Sequence, residues 1–267
     1  YKGTDGNTLF DGIKDRNVEW ITNGALITPY DGSPDGKVMF EVYNWSQGNA
    51  LLSVSGSNGI MWSWHLWMVN DLGTNSLGSY VMMDRNLGAT SKTDEGAYYQ
   101  YGRKDPFIAG KFGVSTSRPA TGEDAAATPD VFYYSNTENV TGWAMSSQTS
   151  WDSSSKSVTD PCPPGYKVPS DNLWTGVSLK ANGTTSATYG DDIIFPISGS
   201  IEYGDRSTTN GSYHNYGVLW NSSSNCLYYE LWRTGGFLSG KYHISQEVRS
   251  DIDTAVGANV RCVSIRK

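Results

Sequence analysis

Histidine is scarce in this chain: three residues among 267, His65, His214 and His243. The motifs that usually carry chemistry are missing as well. No H-E-x-x-H pair, Walker loop, dinucleotide fingerprint or G-x-S-x-G elbow occurs. A Ser-His-Asp triad needs a base placed by a third group, and nothing in the spacing marks one. Positive charge is in short supply: 20 Lys and Arg stand against 27 Asp and Glu, a net charge of -7. The basic residues are scattered, without the stripe that phosphate contacts demand, so nucleic acid is excluded as a partner. No apolar run approaches the roughly 20 residues of a membrane helix, so no span is expected. The three cysteines, Cys162, Cys226 and Cys262, show no C-x-x-C or other metal spacing, which argues against zinc.

What is abundant is glycine, tyrosine and tryptophan, at 30, 17 and 10 residues, amid much Ser, Thr and Asn. That mixture suits many short strands joined by turns and is the composition of exported proteins. The chain opens at Tyr1 without a leader, which is the expectation for a mature or trimmed product. In an oxidising compartment two cysteines would pair and the third would be buried. Cys162 in "DPCPPGYKVPS" and Cys262 in "NVRCVSIRK" flank strands, and Cys226 in "NCLYYELW" reads as a small buried thiol.

Residues 1–75 read as a small all-β module: "VEWI", "KVMFEVYNW", "ALLSVSG" and "IMWSWHLWMV" are strand-like, with a hairpin at "GSNG". In the last of these, alternation sets Trp62, Trp64, Leu66 and Met68 on one face and Met61, Ser63, His65 and Trp67 on the other. The apolar face predicts Trp62 and Trp64 buried, with His65 and Trp67 at the junction with residues 76–267. His65 reads as a packed histidine bonded to backbone. Residues 90–160 are loop-rich, with aromatics that hold the loops down. "GRKDPF" (102–107) reads as an ion-pair knot of Arg103, Lys104 and Asp105. A helix is predicted after Ser170, with Asp171 at its positive end and Gly183 as its stop. Strands return from residue 191, which makes the class α+β and mostly β.

The succession "GNALLSVSGSNGIMWSWHLWMV", "YVMMDRNLGATS", "GAYYQYGRKDPF", "DPCPPGYKVPSDNLW" and "NVRCVSI" resembles the major paralogous domain family (Fib-succ-major, or FISUMP) of Bacteroidetes surface lipoproteins and fimbrillin-like proteins. The likeness spans roughly residues 48–267. Its "PCPPGYKVPS" to "RCV" part is also similar to C-type-lectin-like and formylglycine-generating-enzyme-like folds. The resemblance implies a β-sandwich-like module over 1–75. It implies a C-type-lectin-like domain over 76–267, with few short helices, long loops and a last strand returning beside the first. It also implies a Cys162–Cys262 bond on neighbouring strands and a protein exported to the cell surface, outer membrane or a fimbria.

Functionally, the resemblance implies a non-enzymatic adhesin or a fimbria-associated, tip-like subunit, whose partners would be fimbrial subunits joined by strand donation. The alternative is a lectin for host or dietary glycans. An enzyme of the formylglycine-generating type would need reactive paired cysteines, and Cys162 is better used in a bridge. Calcium-binding lectins use Glu-Pro-Asn or Gln-Pro-Asp loops, absent here, and "LWNSSSN" has Ser222 where an acid would stand. Asp191, Asp192, Asp251 and Asp253 could lend oxygens, so calcium is allowed but not indicated, and no other cofactor is expected. The ligand-binding candidates lie in "SGSIEYGDRSTTNGSYHNYG" (198–217): Tyr203, Asp205, Arg206, Tyr213, His214 and Tyr216. The plain alternative for that stretch is a surface loop whose tyrosines cover the core. Trp232, with Trp143 and Trp151, is a further aromatic candidate.

Overall fold

A computed structural model of the chain describes residues 12–23, 27–29, 38–42, 46–117, 122–134, 151, 154–202, 215–236 and 239–265. Among the described residues strand accounts for 46% and helix for 3%, so the class is mostly β with a vestigial α part. The first five strands are β1 (Asp15–Ile21), β2 (Ile27–Pro29), β3 (Phe40–Val42), β4 (Gly48–Gly56) and β5 (Gly59–Met68). β1, β4 and β5 form an antiparallel sheet, and β2 pairs with β3. β4 and β5 turn back through Ser57-Asn58, and the register skips at Met61, a bulge in β5. Beyond the bulge the alternation holds. Trp64, Leu66 and Met68 pack with Val18 and Ile21 around buried Ile27, Ala50 and Leu52. That cluster is small, so Trp62 and Trp64 are half-buried where full burial was predicted. Trp62 carries the Lys104 ammonium 4.5 Å from its ring centre.

The later strands are β6 (Thr74–Leu77), β7 (Tyr80–Met83), β8 (Tyr98–Gln100), β9 (Gly113–Ser115), β10 (Val131–Tyr133), β11 (Tyr166–Lys167), β12 (Lys180–Asn182), β13 (Ser186–Tyr189) and β14 (Ile193–Pro196). They continue with β15 (Tyr216–Trp220), β16 (Cys226–Thr234), β17 (Lys241–Arg249), β18 (Gly257–Asn259) and β19 (Val263–Ser264). A single helical turn, α1 (Gly122–Ala126), precedes β10. The central sheet runs β17-β16-β15-β18-β8, and a second sheet, β11-β19-β7-β6, sets the last strand beside an early one. Side chains alternate off β16. Leu227, Tyr229 and Leu231 enter a core with Trp174, Ile193 and Phe195, while Cys226 joins Val218, Trp220, Tyr99 and Trp151 on the other side.

The helix predicted after Ser170 is only a 3-10 turn, Asp171–Leu173, and Ser170 makes no side-chain cap. Two local features stop it. Gly176 adopts φ +81°, and Gln246 of β17 clamps the next residues in extended form. Its amide donates to Val177 O and accepts from Leu179 N, both at 2.6 Å. Tertiary pairing overrides propensity here.

Cys162 and Cys262 are joined, with Cα atoms 5.8 Å apart across 100 positions of sequence, and Cys226 is free and buried. Such a bond fits an exported protein in an oxidising compartment. Among the described residues no helix is long and apolar enough to cross a membrane.

The mixed face of β5 meets the later strands through polar side chains. His65 Nε2 donates to Asn49 Oδ1 at 2.8 Å, because the Asn49 amide is already spent on Gly88 O at 2.8 Å. His65 Nδ1 then accepts from Tyr99 Oη at 3.0 Å. Its partners are therefore side chains, not the predicted backbone. Trp67 Nε1 donates to Ala89 O at 3.0 Å, and Ser63 Oγ donates to Asp105 Oδ1 at 2.6 Å. The ion-pair knot is present: Asp105 is 2.6 Å from Lys104 Nζ and 3.9 Å from Arg103. Lys104 also donates to Ser63.

Two outcomes follow from these contacts. Replacing Cys162 and Cys262 with Ser should cost at most about 4–5 kcal/mol, the chain-entropy value for a loop of this length. Denaturant midpoints of the two forms check it, and equal midpoints would contradict the clamp. Burial pushes the His65 pKa down to about 3, against the pull of Asp105. The unfolded imidazole takes a proton near pH 6.5 and the folded one does not, so stability is full above that pH and falls as pH drops. From pH 7 to 5 the wild type should lose about 2 kcal/mol more than His65→Gln. Parallel pH-stability curves would show that His65 is not held neutral.

Candidate functional site

Because Leu227, Tyr229 and Leu231 are buried, Tyr228, Glu230 and Trp232 must point from the opposite side of β16. Tyr229 fits because it lies opposite Gly217: a Cβ there would come within 2.3 Å of the phenol ring. The Tyr229 hydroxyl is fixed on Pro196 O at 2.6 Å. This locks the register of β15 on β16 and sets Tyr216 beside Glu230 on the outer face. β17 contributes Ser245 opposite Glu230, Glu247 opposite Tyr228 and His243 opposite Trp232.

Two stacks cross this face. Tyr216 lies on Tyr228, ring centres 5.4 Å apart at 23°, and the Arg249 guanidinium covers Tyr228 from the β17 side at 4.9 Å. Arg249 is itself held by Asp251 at 2.7 and 2.9 Å. Farther along, Trp232 lies on His243, 4.5 Å apart at 20°, with His243 Nε2 bonded to Thr234 Oγ1 at 2.8 Å. Trp232 is nevertheless 45% exposed. Between the stacks, Asn215 Nδ2 donates to Glu230 Oε1 at 2.9 Å, while Asn215 O accepts Leu231 N at 2.5 Å. Ser200 Oγ bonds Glu202 at 2.7 Å and the Tyr216 hydroxyl at 2.9 Å. Burial and the negative charges of Glu230, Glu202 and Glu247 raise the Tyr228 phenol, and Arg249 opposes them. The face is thus an aromatic platform set among ordered carboxylates.

Of the residues proposed from sequence, Tyr216 and Trp232 lie on this face. Tyr203, Asp205, Arg206, Tyr213 and His214 fall outside the described residues. The residues that bracket them, Glu202 and Asn215, both belong to the face. Trp143 is also outside the described residues. Trp151 is not a surface aromatic: it is 2% exposed, packed 4.9 Å from Tyr101, with its indole donating to Thr159 O. His243, Glu230 and Asn215 were not singled out by sequence. The alternation in "CLYYELW" opposite that in "KYHIS" is the signal that pairs them.

Elsewhere among the described residues, the side chains that could carry chemistry are buried, engaged or solvated. Cys226 is buried and its thiol pushed up to about 12, so no thiolate is offered at neutral pH. Ser63, beside Lys104, is 1% exposed and engaged with Asp105. Asp191 and Asp192 are exposed, Asp251 is taken by Arg249, and Asp253 bonds Ala255 N at 2.8 Å. Among the described residues no three metal-capable side chains converge. A cleft of about 490 Å³ lies apart, lined by Thr22, Asn49, Thr90, Asp94, Glu95 and Tyr98. Its inner polar groups are already engaged, Asn49 with Gly88 and His65 and Asp94 with Thr90 and Ser91. No family model, curated protein or solved structure matches the chain.

Exposure separates Trp232 from core tryptophans. Trp232→Ala should change unfolding free energy by no more than about 0.5 kcal/mol, whereas Trp220→Ala, at a fully buried site, should cost about 3–5 kcal/mol. Urea titration checks both. A loss above about 2 kcal/mol at Trp232 would make its stack a structural support.

Proposed function

We propose that the protein is a non-enzymatic, exported adhesin whose recognition surface is the outer face of β15–β17, and that it holds glycans there without a metal. One observation carries the reading: a tryptophan stacked on a histidine and still 45% exposed. An indole held flat beside oriented polar groups suits the C–H face of a pyranose ring. Glu230, Asn215 and Ser245 supply acceptors and donors for hydroxyls around it. The likeness to FISUMP surface proteins supports placement at the cell surface or on a fimbria. A glycan array checks the reading. Wild type should give specific hits that weaken at least tenfold in Trp232→Ala. Equal binding by both proteins, or none by either, would contradict it.

A further inference from the structure

We propose that Glu230 makes this surface selective for neutral pyranosides and turns acidic sugars away, an inference that rests on the glycan-binding reading above. His243 occupies one side of the indole, so a ligand ring has a single face on which to lie. Glu230 stands two positions along the same strand and on the same side, about 7 Å from Trp232 along the backbone. That is the margin of a ring resting on the indole. Asn215 pins Oε1, and among the described residues nothing donates to Oε2. The free oxygen is therefore oriented before any ligand arrives and accepts a sugar hydroxyl without paying to order the side chain.

The same oxygen repels a carboxylate or sulfate. Glu202, Glu230, Glu247 and Asp251 surround the face, against Arg249 and Lys241. Arg249 is committed to Asp251 at 2.7 Å and lies 3.7 Å from Glu247. Lys241 sits on the far side of Trp232, opposite Thr234. An acidic sugar on the Glu230 flank of the indole thus meets that carboxylate, while Lys241 stands on the opposite flank. Like charges brought together in this way discriminate more strongly than any gain from an extra neutral contact.

The test is titration of wild type, Glu230→Gln and Trp232→Ala with three probes. These are neutral gluco- and galacto-oligosaccharides, their uronic-acid or sialylated counterparts, and choline. Gln at position 230 keeps an acceptor for Asn215, and unchanged melting confirms that the fold is intact. Wild type should bind neutral sugars at least tenfold tighter than acidic ones, and Glu230→Gln should narrow the gap to threefold or less. A gap that Glu230→Gln leaves unchanged, or acidic sugars preferred through Lys241, would overturn the selectivity while the Trp232 surface stands. Choline binding tighter than sugars would overturn it in favour of a cation site. Binding of no sugar, with Trp232→Ala equal to wild type, would overturn both readings.

Discussion

A guanidinium kept almost entirely from water gathers the loop-rich middle of this molecule around it. Arg103 is 3% exposed and donates to Gln100 Oε1, Val131 O, Ala125 O and Thr128 O at 2.8–3.2 Å. Its plane lies over Phe107 at 4.8 Å and Tyr133 at 5.6 Å. A charge can be buried only where the surrounding chain supplies this many partners, so the backbone from α1 through β10 is drawn in around it. The neighbouring Asp105 carries the constraint onward, taking Lys104 and then Ser63 of β5. One buried cation thereby links the loop-rich middle of the chain to the N-terminal sheet.

The platform stands on the same frame. Gln100, which receives Arg103, pairs through β8 with Gly257 of β18, and β18 pairs with β15. That sheet extends outward to β16 and β17, where the core behind it thins and Trp232 comes into water. Beneath it, Arg261 is fully buried over Phe195 and bonded to Asn86 and Ile194 O. A face built on paired strands keeps its aromatic and carboxylate groups placed in advance, which would lower the entropy cost of the proposed glycan binding.

How much of this could be read beforehand depended on the range of the interactions. The "GSNG" hairpin, the face of β5 that meets the later strands and the Arg103–Asp105 knot arise from neighbours in sequence and were legible there. The Cys162–Cys262 bond was legible only through the family resemblance, since spacing alone left the pairing open. The helix after Ser170 failed because Gln246, 67 positions from Leu179, holds that segment extended. Trp151 looked exposed because its loop is polar, yet Tyr101 and Trp220 draw it inward. Trp62 and Trp64 showed the right face but not the small size of the core beneath them. For the site, Tyr216 and Trp232 were visible as aromatics in an exposure-prone context, whereas His243 and Glu230 needed the cross-strand register.

The most direct test of the platform is a heteronuclear NMR titration of the tryptophan indole N–H signals with a neutral oligosaccharide. The expected result is a saturable shift of the Trp232 signal, with backbone shifts at Glu230 and His243 and none at the indoles of Trp151 and Trp220. Shifts confined to the cleft at Asn49, Thr90 and Asp94, or no shift at any concentration, would contradict the assignment of β15–β17 as the recognition face.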